Sequence, residues 1–190
     1  EQIVYAEWLA AYYSTLANHY SQKSMPEKAL AYHDKAIALL KSIKSYDEMH
    51  VVSLGKASLY VIMEKNKEAI PLIYAALKFF EQDPVRYVEQ MFYTMTMLSK
   101  VYSGQKQYEK AIYYDLKAIG YYDAFYKEFP LRHTLYLKAL CYNDIAFCYS
   151  RLNKFDESIA YSEKSLAIAK KIGADPQIAL SLARMGESNI

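Results

Sequence analysis

Small, aromatic and polar positions recur in the same order four times along the chain, within residues 16–36, 56–76, 98–118 and 145–165. In each segment a small residue precedes a Tyr by three positions. A second small residue follows that Tyr by nine positions, and a third follows by seven more. The four sets are Ala17, Tyr20, Ala29 and Ala36; Ala57, Tyr60, Ala69 and Ala76; Ser99, Tyr102, Ala111 and Ala118; and Ala146, Tyr149, Ser158 and Ser165. A fifth copy begins at Gly186, with Asn189 in the position of the Tyr.

This order predicts pairs of antiparallel helices. Two helices approach closely only where their side chains are small, so each Ala or Ser marks a crossing point. The repeat tyrosines (Tyr20, Tyr60, Tyr102 and Tyr149) are expected to fill the space between paired helices with buried rings. Short polar links are predicted at residues 22–25, 64–66, 104–107 and 152–154. Pro71 lies one turn into a second helix, so we expect that helix to begin late or to bend.

The order small–x2–Tyr–x8–Ala–x6–Ala resembles the tetratricopeptide repeat, and residues 108–112 and 155–159 resemble the opening of its second helix. The copies lie 40 or more residues apart, whereas the family's usual period is about 34. Such long-period arrays resemble the sensory portions of bacterial regulators, among them the Rap and PlcR peptide-pheromone receptors. The resemblance implies an all-α, right-handed solenoid of four helix pairs and a fifth first helix.

We expect one domain over residues 1–190, with repeats at about 5–44, 45–82, 84–128 and 131–173 and a half repeat at 175–190. The chain begins at Glu1 without a Met, so we expect it to be either a piece of a longer protein or a processed chain.

Composition agrees with a helical fold, since 5 Gly and 5 Pro in 190 residues leave few tight turns for a β-rich one. A net charge of +2 gives no basis for direct nucleic-acid binding. The sequence lacks the roughly 18 uninterrupted apolar residues of a membrane span. The compartment stays open, and a soluble domain in the cytoplasm or the periplasm fits equally.

Tyr is the unusual residue type, with 21 copies. Tyr32, Tyr114 and Tyr161, in second helices, are expected to pack against the next repeat. Adjacent tyrosines on a helix point about 100° apart, so some must be exposed or line a groove. Surface use of Tyr and use in a binding groove both remain open.

No pattern of catalytic, cofactor or metal-binding residues is found, and we expect neither an enzyme nor a cofactor. The four His lack the spacing of paired metal ligands, and phosphate-loop and GxSxG motifs are absent. Cys141 and Cys148 are predicted to be two reduced thiols in the core.

The family resemblance also implies that first helices line a concave groove. Carried over to this chain, the groove positions include Ser14, Val51, Leu54 and Leu140. The predicted ligand-binding residues are Asn18, Ser58, Tyr93, Thr96, Lys100, Asn143, Phe147 and Arg151. A mixed apolar, amide and basic lining suits an extended or helical peptide.

The sequence therefore predicts a protein- or peptide-binding scaffold, used as the sensory module of a bacterial signalling or transcription-regulating protein. The alternative is a structural assembly or dimerisation scaffold without a signalling role, and a homodimer is compatible with it. A third interpretation is an accessory domain of an enzyme whose active site lies elsewhere.

Overall fold

Helices make up nearly all of the computed structural model, which describes residues 2–126 and 132–188. Those residues form nine α-helices and no β-strand. The helices are α1 (Gln2–Gln22), α2 (Pro26–Ser42), α3 (Tyr46–Ile62), α4 (Asn66–Phe80), α5 (Val88–Gly104), α6 (Tyr108–Tyr126), α7 (Arg132–Arg151), α8 (Phe155–Ile172) and α9 (Asp175–Ser188). The all-α fold that the sequence predicted is confirmed.

The chain divides into two compact units, Glu1–Gln90 and Met91–Ile190. The first contains α1 to α4 and the second α6 to α9, and the border falls in the first turn of α5. The single domain and the repeat bounds stay predictions. The predicted border near residues 128–131, and Asn189 of the fifth copy, lie outside the described residues.

The small positions of the four repeat sets are buried in both units. Ser99 is 2% exposed, and the eleven other small positions are 0% exposed. In the second unit Ser158 Oγ donates a hydrogen bond to the Ala146 carbonyl at 2.9 Å, and Ser165 Oγ donates to the Ala139 carbonyl at 2.8 Å. Ser can therefore replace Ala at these crossings because its hydroxyl finds an acceptor on the facing helix α7.

In the first unit α2 packs against both α1 and α3, and α3 packs against α4. A Cβ atom on Gly55 of α3 would lie 2.9 Å from His33 Cε1 of α2, so the imidazole occupies the space that a larger residue would need. His33 is 3% exposed. Burial lowers its pKa to about 4, because the charged imidazolium would lose its hydration.

The four links between first and second helices share one hydrogen-bonding arrangement. In each, the carbonyl of the repeat tyrosine accepts the N–H of the residue five positions later, at 2.8 to 3.0 Å. The intervening residue adopts a left-handed conformation, as at Ser24, Glu64, Lys106 and Asn153. This is the Schellman ending of a helix, which satisfies the last carbonyls and turns the chain back. The predicted polar links at these places are confirmed.

Pro71 lies inside α4, which already begins at Asn66. The helix therefore does not begin late, and the alternative expectation, a bend at Pro71, stays a prediction. Pro71 is exposed, so its ring needs no space in the core. It still removes one backbone donor from the helix interior.

Three of the four repeat tyrosines (Tyr20, Tyr102 and Tyr149) stack on a second-helix tyrosine of their own repeat. Tyr20 and Tyr32 lie with ring centroids 5.4 Å apart and planes 2° apart, and Tyr102 pairs in the same way with Tyr114. Tyr149 stacks on Tyr161 at 5.5 Å. The sequence had predicted that Tyr32, Tyr114 and Tyr161 pack against the next repeat, whereas each stacks on a ring of its own repeat. The repeat tyrosines are also only half-buried, not fully buried as predicted.

Candidate binding groove

An open groove of about 760 Å³ lies in the first unit between α1, α3 and the segment that joins α4 to α5. We call it the α1–α3 groove. This volume lies within the range of known ligand sites, which is about 300–1,000 Å³. The groove is therefore large enough for several side chains of a bound segment.

Apolar side chains form the floor and much of the walls of the α1–α3 groove. Ala10 and Leu40, at 1% and 2% exposure, belong to the buried core of the first unit and also border the groove. Trp8 of α1 is 76% exposed and Val51 of α3 is 45% exposed, so both present apolar surface to solvent. A guest side chain would cover this surface at a gain of roughly 25 cal/mol per Å².

Charged groups lie around the apolar surface of the groove. Arg86 donates from its guanidinium to Asp47 Oδ2 at 2.9 Å and lies 5.0 Å from the centre of the Tyr87 ring. The Arg86 backbone N–H also donates to Asp83 Oδ1 at 3.2 Å, which helps to fix the α4–α5 segment. Glu7 and Glu48 line the same groove. Burial raises the pKa of Glu48, and the nearby Asp47 and Glu7 carboxylates raise it further.

The predicted groove residues of the first unit lie in different surroundings. Ser14 and Val51 line the α1–α3 groove. Asn18 is exposed farther along α1, Ser58 is half-buried in α3, and Leu54 is buried at 2% exposure. The groove thus includes the first-helix face that the family resemblance indicated, but it is centred nearer the start of α1.

In the second unit Phe147 and Arg151 lie beside each other on α7, where Tyr108 contacts both. Arg151 Nε donates to Tyr108 Oη at 3.5 Å, and the Tyr108 ring meets Phe147 edge-on with centroids 6.4 Å apart. Arg184 of α9 lies over the Phe147 ring, with its guanidinium carbon 4.6 Å from the ring centre. Sequence reasoning did not select Arg184.

The remaining predicted residues of the second unit differ in exposure. Tyr93 is 48% exposed on α5, and Lys100 of the same helix is exposed. Thr96 is half-buried and donates to the Tyr93 carbonyl. Asn143 is 1% exposed, donates to Gln177 Oε1 at 3.0 Å and accepts from Ser181 Oγ at 3.0 Å. Its amide holds α7 to α9, so we leave Asn143 out of any proposed binding surface.

Sequence reasoning missed Glu7, Trp8, Glu48 and Arg86. Glu7 precedes Ser14 by seven positions and lies on the same helical face, so extending the predicted stripe toward the N-terminus would have found it. Arg86 and Tyr87 come from the link between two repeats, where the periodic pattern offers no signal.

Buried polar groups elsewhere in the second unit are part of its core. Ser99 Oγ donates to Asp115 Oδ2 at 2.6 Å, and Asp115 is 0% exposed. Burial raises the pKa of Asp115 well above its usual value. Cys141 and Cys148 are buried free thiols, as predicted, and burial raises the pKa of each.

Two further properties concern the described part of the chain. Within it, no group of three or more His, Cys, Asp or Glu side chains is placed to hold a metal ion. None of its helices is long and apolar enough to span a membrane.

The all-helical fold, with small residues buried at the repeat positions, is of the tetratricopeptide-repeat type, in which helix pairs are stacked. Residues 139–172 match the family model described as Tetratricopeptide repeat. No curated protein matches the chain.

Solved structures share this fold. Aspartyl phosphate phosphatase F from Bacillus subtilis has a TM-score of 0.80 and 14% identity, over 95% of this chain and 45% of that one. A Rap protein complexed with competence and sporulation factor has a TM-score of 0.71 and 13% identity, over 90% of this chain and 46% of that one. A STAND protein with a tetratricopeptide repeat sensor, from Pyrococcus horikoshii, has a TM-score of 0.77 and 20% identity, over 96% of this chain and 27% of that one. The chain spans less than half the length of each of the three. At these identities the likeness concerns the fold alone.

Proposed function

We propose that the chain is a protein- or peptide-binding scaffold that holds its partner in the α1–α3 groove. The observation that carries this proposal is the open groove of about 760 Å³. Its apolar walls are exposed at Trp8 and Val51 and are bordered by charged groups. Surfaces of this kind bind because apolar side chains supply affinity and the surrounding charges supply orientation.

We further propose that this binding serves a sensory role in a signalling or transcription-regulating protein. The sensory role is supported by the similarity of the fold to solved structures. One matched Rap structure is a complex with competence and sporulation factor, and the matched STAND protein carries a tetratricopeptide repeat sensor. The matched phosphatase supplies no catalytic assignment here, and we propose binding without catalysis.

The test is a selection of partners followed by a blocked-groove variant. Random 12-residue peptides displayed on phage are selected on the whole chain, and the dissociation constant of an enriched peptide is measured by calorimetry. Ala11→Phe adds a ring to the wall of the groove, so we expect binding to weaken at least tenfold.

Ala31→Phe is the matched control, because Ala31 is exposed on α2 and does not line the groove. It should leave the dissociation constant unchanged. Equal affinities for both variants, or a selection that enriches no peptide, would refute the proposed function.

The first helix favours a second candidate, the assembly scaffold. Tyr5 and Tyr12, seven residues apart on one face of α1, are 70% and 57% exposed and present aromatic surface to solvent. If this face joins two copies of the chain, sedimentation velocity will show a dimer that Tyr5→Ser/Tyr12→Ser converts to monomer. A monomer at all concentrations would exclude it.

A further inference from the structure

We propose that the α1–α3 groove binds a partner segment that carries a Lys or Arg side chain next to large apolar side chains. This inference rests on the proposed function, since it names the chemistry of the partner in the same groove. Three features of the groove support it. They are the excess of acidic over basic side chains, the contact of Arg86 with both an acid and an aromatic ring, and the exposed ring of Trp8.

The charge balance of the groove is negative. Its ionisable groups include three carboxylates, Glu7, Asp47 and Glu48, against the single guanidinium of Arg86. Arg86 pairs with Asp47. Glu7 and Glu48 form no ion pair with any side chain in the described ranges. A cation from a partner would therefore meet two acidic side chains that form no ion pair, Glu7 on α1 and Glu48 on α3.

The groove already holds one cation by the pairing that we propose for the partner. The Arg86 guanidinium lies between an acid and an aromatic ring, bonded to Asp47 at 2.9 Å and 5.0 Å from the Tyr87 ring centre. An ammonium or guanidinium group over a ring is attracted by the negative face of the π-system. Asp47 and Tyr87 thus provide one example of this combination within the groove.

Glu7, Glu48 and Trp8 offer a second combination of carboxylates and a ring. Trp8 is 76% exposed, and an indole is the best aromatic partner for a cation. The apolar floor of Ala10 and Leu40 lies in the same groove, so neighbouring apolar side chains of the guest would be covered at the same time. A short segment with a basic residue flanked by large aliphatic or aromatic ones would fit both the acidic side chains beside Trp8 and the apolar floor.

The experiment uses the 12-residue peptides selected on the whole chain. We expect the enriched sequences to contain Lys or Arg beside Leu, Ile, Phe or Trp. Replacing that Arg by citrulline, which keeps the shape and removes the charge, should weaken binding about tenfold, as should Glu7→Gln/Glu48→Gln. The effect of both changes should shrink in 0.5 M salt, because exposed charges are screened.

Trp8 reports on the site directly because it is the only Trp of the chain. A guest over the indole should shift its emission in the wild type. The control is Glu157→Gln/Glu163→Gln, which removes two exposed carboxylates of α8 and changes the net charge equally. This control should bind as the wild type does.

The outcomes separate the inference from the proposed function. Peptides that bind and are blocked by Ala11→Phe, but are acidic or wholly apolar, overturn the inference and leave the proposed function standing. The inference is also overturned, and the proposed function left standing, if Glu7→Gln/Glu48→Gln binds the peptide as tightly as the control Glu157→Gln/Glu163→Gln does. A groove occupied by a second copy of the chain, seen as a dimer that the peptide cannot displace, also overturns it.

Discussion

Individual residues of this chain are held in conformations or protonation states that cost free energy. His33 is the clearest case in the first unit. It is buried against Gly55 and remains neutral at a pH where an exposed imidazole would begin to take up a proton. Ser24, Glu64, Lys106 and Asn153 each adopt a left-handed backbone conformation that suits Gly better.

His33 predicts a specific pH dependence of stability. Its pKa is about 4 in the folded chain and 6.5 in the unfolded chain. Between these values His33 binds a proton in the unfolded chain but not in the folded chain, so its contribution to the free energy of unfolding falls as pH is lowered from 6.5 to 4. The full loss corresponds to about 3 kcal/mol. Urea unfolding at several pH values should show that the free energy of unfolding of the wild type falls relative to that of His33→Leu over this range. Parallel profiles would contradict the buried, neutral His33.

Glu64 predicts a stabilising substitution. Its φ of 58° places an exposed, charged side chain in the left-handed region at a helix end. Glu64→Gly should raise the free energy of unfolding by about 1 kcal/mol. Gly173, with φ of 63° and open space around it, is the reverse control, and Gly173→Ala should lower stability by a similar amount. Thermal unfolding measures both, and shifts of the same sign would exclude the argument.

At the scale of helices, the sequence predicted most of the architecture because small side chains encode helix crossings. The small positions from Ala17 to Ser165 were predicted from spacing and are buried. The ring partners were not predicted correctly. Spacing shows which face of a helix a Tyr occupies, but it does not show which neighbouring ring that Tyr meets. Tyr32 and Tyr161 therefore stack within their own repeats, contrary to expectation.

Pro71 predicts how α4 responds to a restored backbone donor. The N–H that Pro71 lacks would bond to the Lys67 carbonyl in a regular helix. Pro71→Ala should therefore stabilise the chain by about 1–3 kcal/mol, since the ring is exposed and no packing is lost. Pro26→Ala, at the first residue of α2, should give no such gain, because that N–H is unpaired anyway. Chemical denaturation compares them, and a destabilised Pro71→Ala would contradict this account of α4.

At the scale of the whole molecule, the candidate site was predicted only in part. Ser14 and Val51 were placed on the groove face from the repeat, and both line it. Glu7 lies seven residues before Ser14 on the same face of α1, so the pattern could have been extended to it. Trp8 lies off that stripe and Arg86 follows the last helix of its repeat, so the pattern did not indicate either of them. Asn143 lies at a groove position in sequence, but Gln177 and Ser181 of α9 bond its amide. A pattern of positions does not show which polar groups are used inside the fold.

The most direct test of the central claim is a hydrogen-exchange footprint of a selected peptide on the whole chain. Binding in the α1–α3 groove should slow exchange in residues 4–14 of α1 and 47–52 of α3, and in the segment around Arg86. The segments that contain Phe147 and Arg151 should exchange as in the free chain. Protection confined to residues 91–188, with none in α1 or α3, would contradict the account.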